Sequence, residues 1–600
     1  MTGTTAVDHR KPLDFGGDGL TGSVDAQGRL IAINTYHPAY GYATLTTAEP
    51  FPEAARYDSA AVRAYRRGLA ALDGFGPAFS QPLVHVLADH EQPVVPHLQL
   101  LFADGTQAEC TTFVHEGGII QLWSIPAHGV EWGGRVSLQR AAYTQLTEGG
   151  PVPMPPLDLR YHFERGTLTV ENGALGLTAA IAGLPDAAPW TQAATAPLDI
   201  HLPLTPGEHR LAVAFGASAA EAVERAQRLL EIDALLALAS EREYWRLAFA
   251  NVIHDPLLRR ALAYCTLMAV PAGEESTCLL TDHMLLPLSW NRDSYYIARA
   301  LLSWPTDTIP TREIVRRHLV WLFETAERPG GAWGRSYLAN GQVKDGAFQL
   351  DQQVWPLLEL ADYVRTTGDH ATAERFRPQV AAVLDMLMSR KAPDALLFPT
   401  DETPADDPMT LPYPLSSHIL LWRTATQLAE AGLGEAWAAL AHELPASIQR
   451  AFVTEQAGRS LYAYATDGKG QFRLYHDAND FPLALAPGWD FTLPDDALWR
   501  ATIDFAWSDA NHGGCYGGRL GSVHTPGAWP LGDVQALVVA QALNDSVRHE
   551  QAIAQLQAAA QWDSALPEAV DPITNAVISR HWFAWPGAAY ACYALDAFET

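Results

Sequence analysis

The chain of 600 residues carries 68 acidic against 40 basic side chains, a formal net charge of −28. No basic surplus exists to release counterions from a phosphate backbone or to hold an anionic membrane surface, which disfavours nucleic acid and membranes as partners and favours a neutral substrate. At 48% hydrophobic and 18% charged residues the chain is globular, and its length calls for two or more domains.

The first third reads as β structure. Residues 22–33 form a strand, a turn at Gly28 and a second strand, followed by a helical insertion near Ser59 to Leu72. Further strands are predicted at 97–102, 109–115, 118–125, 157–163, 167–171, 176–182 and 210–214. Turns such as Glu171-Asn172-Gly173 separate them. Many short strands with Gly turns predict a β-sandwich over residues 1–217. The period then becomes helical, and 219–230 and 234–248 predict a helical linker over 218–250.

Residues 251–600 read as helix after helix. Segments are predicted near 256–269, 293–303, 312–326, 350–366, 370–389, 416–431, 434–453, 495–507, 530–544, 547–561 and 584–598. Paired in this way they suit an all-α (α/α)6 barrel, with a pocket among the loops at one end. The five cysteines, Cys110, Cys265, Cys278, Cys515 and Cys592, lack CxxC spacing, which predicts neither a disulfide framework nor a zinc site. Met1 to Asp18 contain no apolar signal-peptide core, and no apolar run reaches membrane-spanning length. A soluble, cytoplasmic protein is expected.

Polar residues cluster in the loops beside these helices, where sites usually sit. Trp290-Asn291-Arg292-Asp293-Ser294 opens a helix. Arg292 offers a planar fork of donors and Asp293 accepts, so the pair can grip two sugar hydroxyls, although Asp293 also fits an ordinary helix cap. Asp351 stands at the next helix start. Asp406 and Asp407 are adjacent, and Pro408 keeps Asp407 out of helical geometry. Like charges so close resist joint ionisation, which can leave one proton in place for acid catalysis, unless the loop is simply a solvated group of acids. His476-Asp477-Ala478-Asn479 suits a polar pocket wall. Gly517-Gly518-Arg519-Leu520-Gly521-Ser522-Val523-His524 permits close backbone approach to a ligand, or a plain tight turn. Glu568 is a lone carboxylate in a Pro-flanked loop ahead of Arg580-His581-Trp582-Phe583-Ala584-Trp585.

Taken in order, these loops resemble glycoside hydrolase family 125, the metal-independent exo-α-mannosidases, over roughly residues 280 to 598. The resemblance rests on Trp290 to Ser294, Leu350-Asp351, Ala405-Asp406-Asp407, Asp477 to Pro482, Gly521 to Thr525 with Trp529-Pro530, and Arg580 to Trp585. It implies a general acid in the Asp406-Asp407 pair and a general base at Glu568. The family's His-Glu-Ser-Phe around the base is replaced here by Leu566-Pro567-Glu568-Ala569-Val570. The large β region in front is similar instead to bacterial glucoamylases of family 15, so mannose and glucose are both open as the sugar.

The resemblance implies an inverting exo-α-glycosidase acting on an oligosaccharide or small glycoside, with no metal or organic cofactor. Asp406, by analogy with other (α/α)6 hydrolases, or Asp407 would protonate the leaving oxygen while Glu568 activates water. Trp290, Arg292, Asp293, Asp351, Asp477, Asn479, His524, Arg580 and Trp582 are the expected sugar-binding residues. A phosphorylase using Arg519, His524 and Arg580, and a non-hydrolytic sugar-binding or epimerase relative, are the alternatives.

Overall fold

A computed structural model describes residues 11–89, 93–140, 149, 152 and 155–598. Two compact units divide it. The first comprises residues 1–272, 282–287 and 305–309, and the second 273–281, 288–304 and 310–600.

The first unit is built on two antiparallel sheets, of seven and nine strands. The smaller runs from Leu13–Gly17 through Leu20–Val24, Leu30–His37 and Gly41–Thr46 to Gly129–Arg140, with Leu198–Pro203 beyond it. The larger has Trp190–Ala194 and Leu83–Asp89 at its edges. Alternation explains the strands: in His97–Phe102, Leu98, Leu100 and Phe102 are buried while His97, Gln99 and Leu101 are partly exposed. Side chains stitch one sheet to the other. Tyr161 Oη donates to the Val136 carbonyl at 2.8 Å, and Asn172 Nδ2 to that of Leu138 at 2.9 Å. At the predicted turn, Gly28 has φ 81°, and a Cβ there would meet Cys110 at 2.9 Å. The predicted insertion is the helix Ser59–Leu69, capped by Asp58. Helices Ala219–Glu231 and Ala234–Ala248, expected as a separate linker, fall by their contacts in this first unit.

In the second unit six helices touch in ring order. They are Asn291–Ser303, Leu350–Thr367, Leu415–Glu430, Phe481–Leu485, Pro530–Leu543 and Ala584–Ala594, and the last packs on the first. His370–Arg390, Glu435–Phe452 and Ser546–Ala559 pack outside their neighbours in the chain. Buried aromatics fill the interior, with Tyr296 5.3 Å from Trp355, 5.4 Å from Phe481 and 5.7 Å from Trp585, centroid to centroid. The seam is closed by Arg299 Nη2, which donates to the Ala597 carbonyl at 2.6 Å.

Two departures from expectation have simple causes. Phe481–Leu485 is a helix of five residues with Pro482 near its start, too short for a periodic signal. The segment expected at 312–326 is α-helical over Thr311–Val320 and then widens into a π-turn, Trp321–Thr325, where Trp321 Nε1 donates to the Ala339 carbonyl at 2.9 Å. Among the described residues, no helix is long and apolar enough to cross a membrane.

Candidate active site

Loops at the starts of the ring helices surround an open cavity. Its lining includes Trp290, Arg292, Asp293, Asp406, Asn479, His524, Glu568 and Arg580. Pro404, Ala405, Trp529, Phe583 and Trp585 complete it with mainly apolar surface.

Arg292 is the hub of one wall. It is 3% exposed and lies over the Trp585 ring at 5.0 Å. Its Nη1 donates to Asp351 Oδ2 at 2.9 Å and its Nη2 to Asp406 Oδ1 at 3.3 Å, with Asp293 3.9 Å from Nε. Burial works against the guanidinium charge, but the surrounding carboxylates more than offset it and raise its pKa further. Burial also pushes Asp293 up to about 6, against Arg292 and against Thr281 Oγ1, which donates to it at 2.5 Å.

The acidic pair sits on a strained turn. Thr403 Oγ1 accepts from the backbone N–H of Ala405 at 3.2 Å and of Asp407 at 3.1 Å, and Thr403 N–H donates to the Asp407 carbonyl at 2.7 Å. Asp406 thereby takes φ 66°, a left-handed conformation that Asp tolerates better than most residues. The two carboxylates consequently have different partners. Asp406 faces the cavity and accepts from Trp290 Nε1 at 3.1 Å, Gln349 Nε2 at 2.7 Å and Arg292. Asp407 is 3.3 Å from His524 Nδ1 and is not part of the cavity lining. Burial raises Asp406, yet Arg292 and Arg335 overcome this and hold it below the usual carboxylate range.

A short hairpin, Ala569–Val570 with Val577–Ser579, carries Glu568 at its base and into the cavity lining. Glu568 is 4% exposed and accepts from Ser579 Oγ at 2.5 Å and Arg580 Nη1 at 3.3 Å. Its backbone N–H donates to the Arg580 carbonyl at 3.1 Å, which fixes both residues. His524 keeps its proton to about pH 9. Burial opposes that charge, but Asp407, Glu568 and Asp406 favour it.

Other expected site residues stand behind the lining. Asp351 braces Arg292. Asp477 accepts from Tyr475 Oη at 3.0 Å and Ser522 Oγ at 3.1 Å, and so pins the loop that presents His524. Burial pushes Asp477 up to about 7, with Asp480 adding to the shift. Trp582 is buried at 2% exposure, outside the cavity lining. Gly521 serves its own loop: a Cβ there would meet the Gly527 carbonyl oxygen at 1.7 Å.

Residues 397–595 match the family model of the metal-independent alpha-mannosidases, glycoside hydrolase family 125. The helical unit is that of a glycoside hydrolase. A metal-independent α-mannosidase from Streptococcus pneumoniae, solved with α-1,6-mannobiose, superposes with a TM-score of 0.50 at 19% identity. The alignment covers 60% of this chain and 98% of that one. A bacterial glucoamylase complexed with acarbose superposes with a TM-score of 0.70 at 11% identity, over 100% of this chain and 95% of that one. At these identities both likenesses speak to fold alone. No curated protein matches the chain.

In this hydrolase, three polar residues that stand outside the lining and are linked to Asp406 by hydrogen bonds or a shared donor carry no sequence signature. Gln349 precedes a helix as its N-cap residue, Glu402 begins the acidic turn, and Arg335 sits next to a two-residue strand. Of the Arg580 to Trp585 motif, Phe583 and Trp585 line the cavity, whereas Trp582, the aromatic expected from it, does not.

Proposed function

We propose that the protein is an inverting exo-acting α-glycoside hydrolase that removes a terminal mannose or glucose from an oligosaccharide or glycoconjugate. The observation that carries this reading is the single cavity into which Arg292, Asp293, Asp406 and Glu568 all open, in a chain whose residues 397–595 match the family 125 model. The six helices in ring order, and the glucoamylase likeness across the whole chain, support an (α/α)6 barrel preceded by a β-sandwich.

In the proposed mechanism Arg292 and Asp293 bind hydroxyls of the terminal sugar, with Trp290 and Trp585 as its apolar walls. Asp406 lines the cavity, whereas Asp407 is 3.3 Å from His524 Nδ1, which supports Asp406 as the residue that protonates the glycosidic oxygen. Glu568 takes a proton from water on the opposite face of the ring. Inversion requires the two carboxyl groups to stand about 6.5–9.5 Å apart, with room for that water. Arginines favour the ionised form of Asp406, so the productive form is the less populated one, and kcat/KM is expected to fall from the acid side as pH rises.

Aryl α-mannoside and α-glucoside should be compared as substrates, with the first-formed anomer followed by NMR. A β-sugar product is expected, and an α-sugar product would overturn inversion. The cationic His524 and Arg580 beside Glu568 also favour one second reading, phosphorolysis. Sugar release that depends on added phosphate would select it.

A further inference from the structure

We propose that Glu402, and not Asp407, is the carboxylate coupled to Asp406, and that it acts as a positioning residue through a shared amide and a shared guanidinium. The inference rests on the reading of Asp406 as the acid. Gln349 Nε2 donates to both carboxylates, at 2.7 Å to Asp406 Oδ1 and at 3.1 Å to Glu402 Oε2. Arg335 Nη1 reaches Glu402 Oε2 at 3.1 Å and the Asp406 carbonyl at 3.3 Å. The turn makes this possible. Glu402 pairs with Pro408 across its base, and the left-handed Asp406 points its side chain back over the same donors. Glu402 is half-buried, and burial raises it against Arg335, with the Asp406 charge raising it further.

Two carboxylates on one amide titrate as a pair, in steps that belong to both. A charge on Glu402 therefore keeps the proton of Asp406 to higher pH, and Arg335 acts in the opposite sense. The remaining charges around Asp406 are fixed by other elements. Arg292, with Asp293 and Asp351 beside it, belongs to two ring helices. Arg335 is also held by Asp345. His524 with Asp407, and Glu568 with Arg580, face it from the two later loops. Replacing Glu402 by Gln leaves all of these in place.

The test is the pH profile of kcat/KM for the full-length enzyme and its variants on an aryl α-glycoside that the wild type cleaves. In Glu402→Gln the alkaline limb is expected at lower pH, so that the loss at pH 7 exceeds the loss on the acid side by about tenfold. In Arg335→Gln the limb is expected at higher pH, while Glu402→Asp, which keeps the charge, holds it nearer the wild-type position. A loss uniform across pH in both neutralising variants, with thermal melts confirming folded protein, would overturn the coupling. Asp406→Asn separates this from failure of the acid assignment. If it spares a substrate with a poor leaving group, the acid is elsewhere. If it behaves as an acid variant and Glu402→Gln leaves the limb in place, only the coupling fails.

Discussion

Glu568 is held from two sides, by a hydroxyl at 2.5 Å and a guanidinium at 3.3 Å. On the proposed role as base, it should lose that function when its charge is removed while its shape is kept. Glu568→Gln is expected to lower kcat by about 10²–10⁴-fold with little change in KM, measured by steady-state kinetics. Asp406→Asn should discriminate by leaving group. Turnover of a phenyl glycoside is expected to collapse, while that of a dinitrophenyl glycoside, which needs little protonation, largely survives. If both fall equally, Asp406 anchors the sugar and does not donate a proton. Arg292-Asp293 was recognisable in the sequence because it stands in a short motif of fixed residue types, whereas Glu568, a lone carboxylate, was singled out only by its place ahead of Arg580 to Trp585. Gln349 and Arg335 were not recognisable, because isolated polar residues in loops acquire meaning only from what folds beside them, and Glu402 was one acid among several in its stretch.

The turn from Thr403 to Asp407 is the element that decides which carboxylate sees the cavity. Its geometry depends on one hydroxyl accepting two backbone N–H groups, at 3.2 and 3.1 Å. Thr403→Val keeps the shape and strands those donors, a cost of about 1–3 kcal/mol where they are buried. The expected result is a drop in kcat through misplaced Asp406, with a lowered melting temperature. A kcat at the wild-type level would show that the turn holds without the hydroxyl. The adjacency of two aspartates was plain in the sequence and led naturally to the idea of a mutually coupled pair. A positive φ at the first of them turns the side chains to different partners, and no local residue pattern announces it. Long elements such as Leu350–Thr367 and His370–Arg390 were legible from period alone, whereas Phe481–Leu485, an inner member of the ring, offers too few residues for any period.

At the scale of the molecule, the helical unit keeps one costly buried group away from the cavity. Glu359 is 1% exposed, its oxygens lack hydrogen-bond partners among the described residues, and the nearest cation candidate, His318 Nε2, is 3.8 Å away. Burial raises Glu359 well above the usual carboxylate range and lowers His318 to about 3, so burial favours the neutral form of both. Because the folded state holds the Glu359 proton more tightly than the unfolded state, its contribution is fully present below about pH 4.5 and is lost as pH rises. Glu359→Gln is therefore expected to gain stability relative to wild type between pH 5 and pH 8, by a margin that grows with pH in calorimetric melts. A difference independent of pH would mean that Glu359 is ionised in the fold. The ring itself sets one further dimension. Asp406 precedes the third helix of the six and Glu568 precedes the sixth, so the loops bearing them lie half a circumference apart. The ring is thus a ruler. On the proposed roles of Asp406 and Glu568 its reading would be the space left for one water molecule, and a repacked seam at Arg299 or Tyr296, far along the chain from either carboxylate, is expected to change turnover without touching either of them.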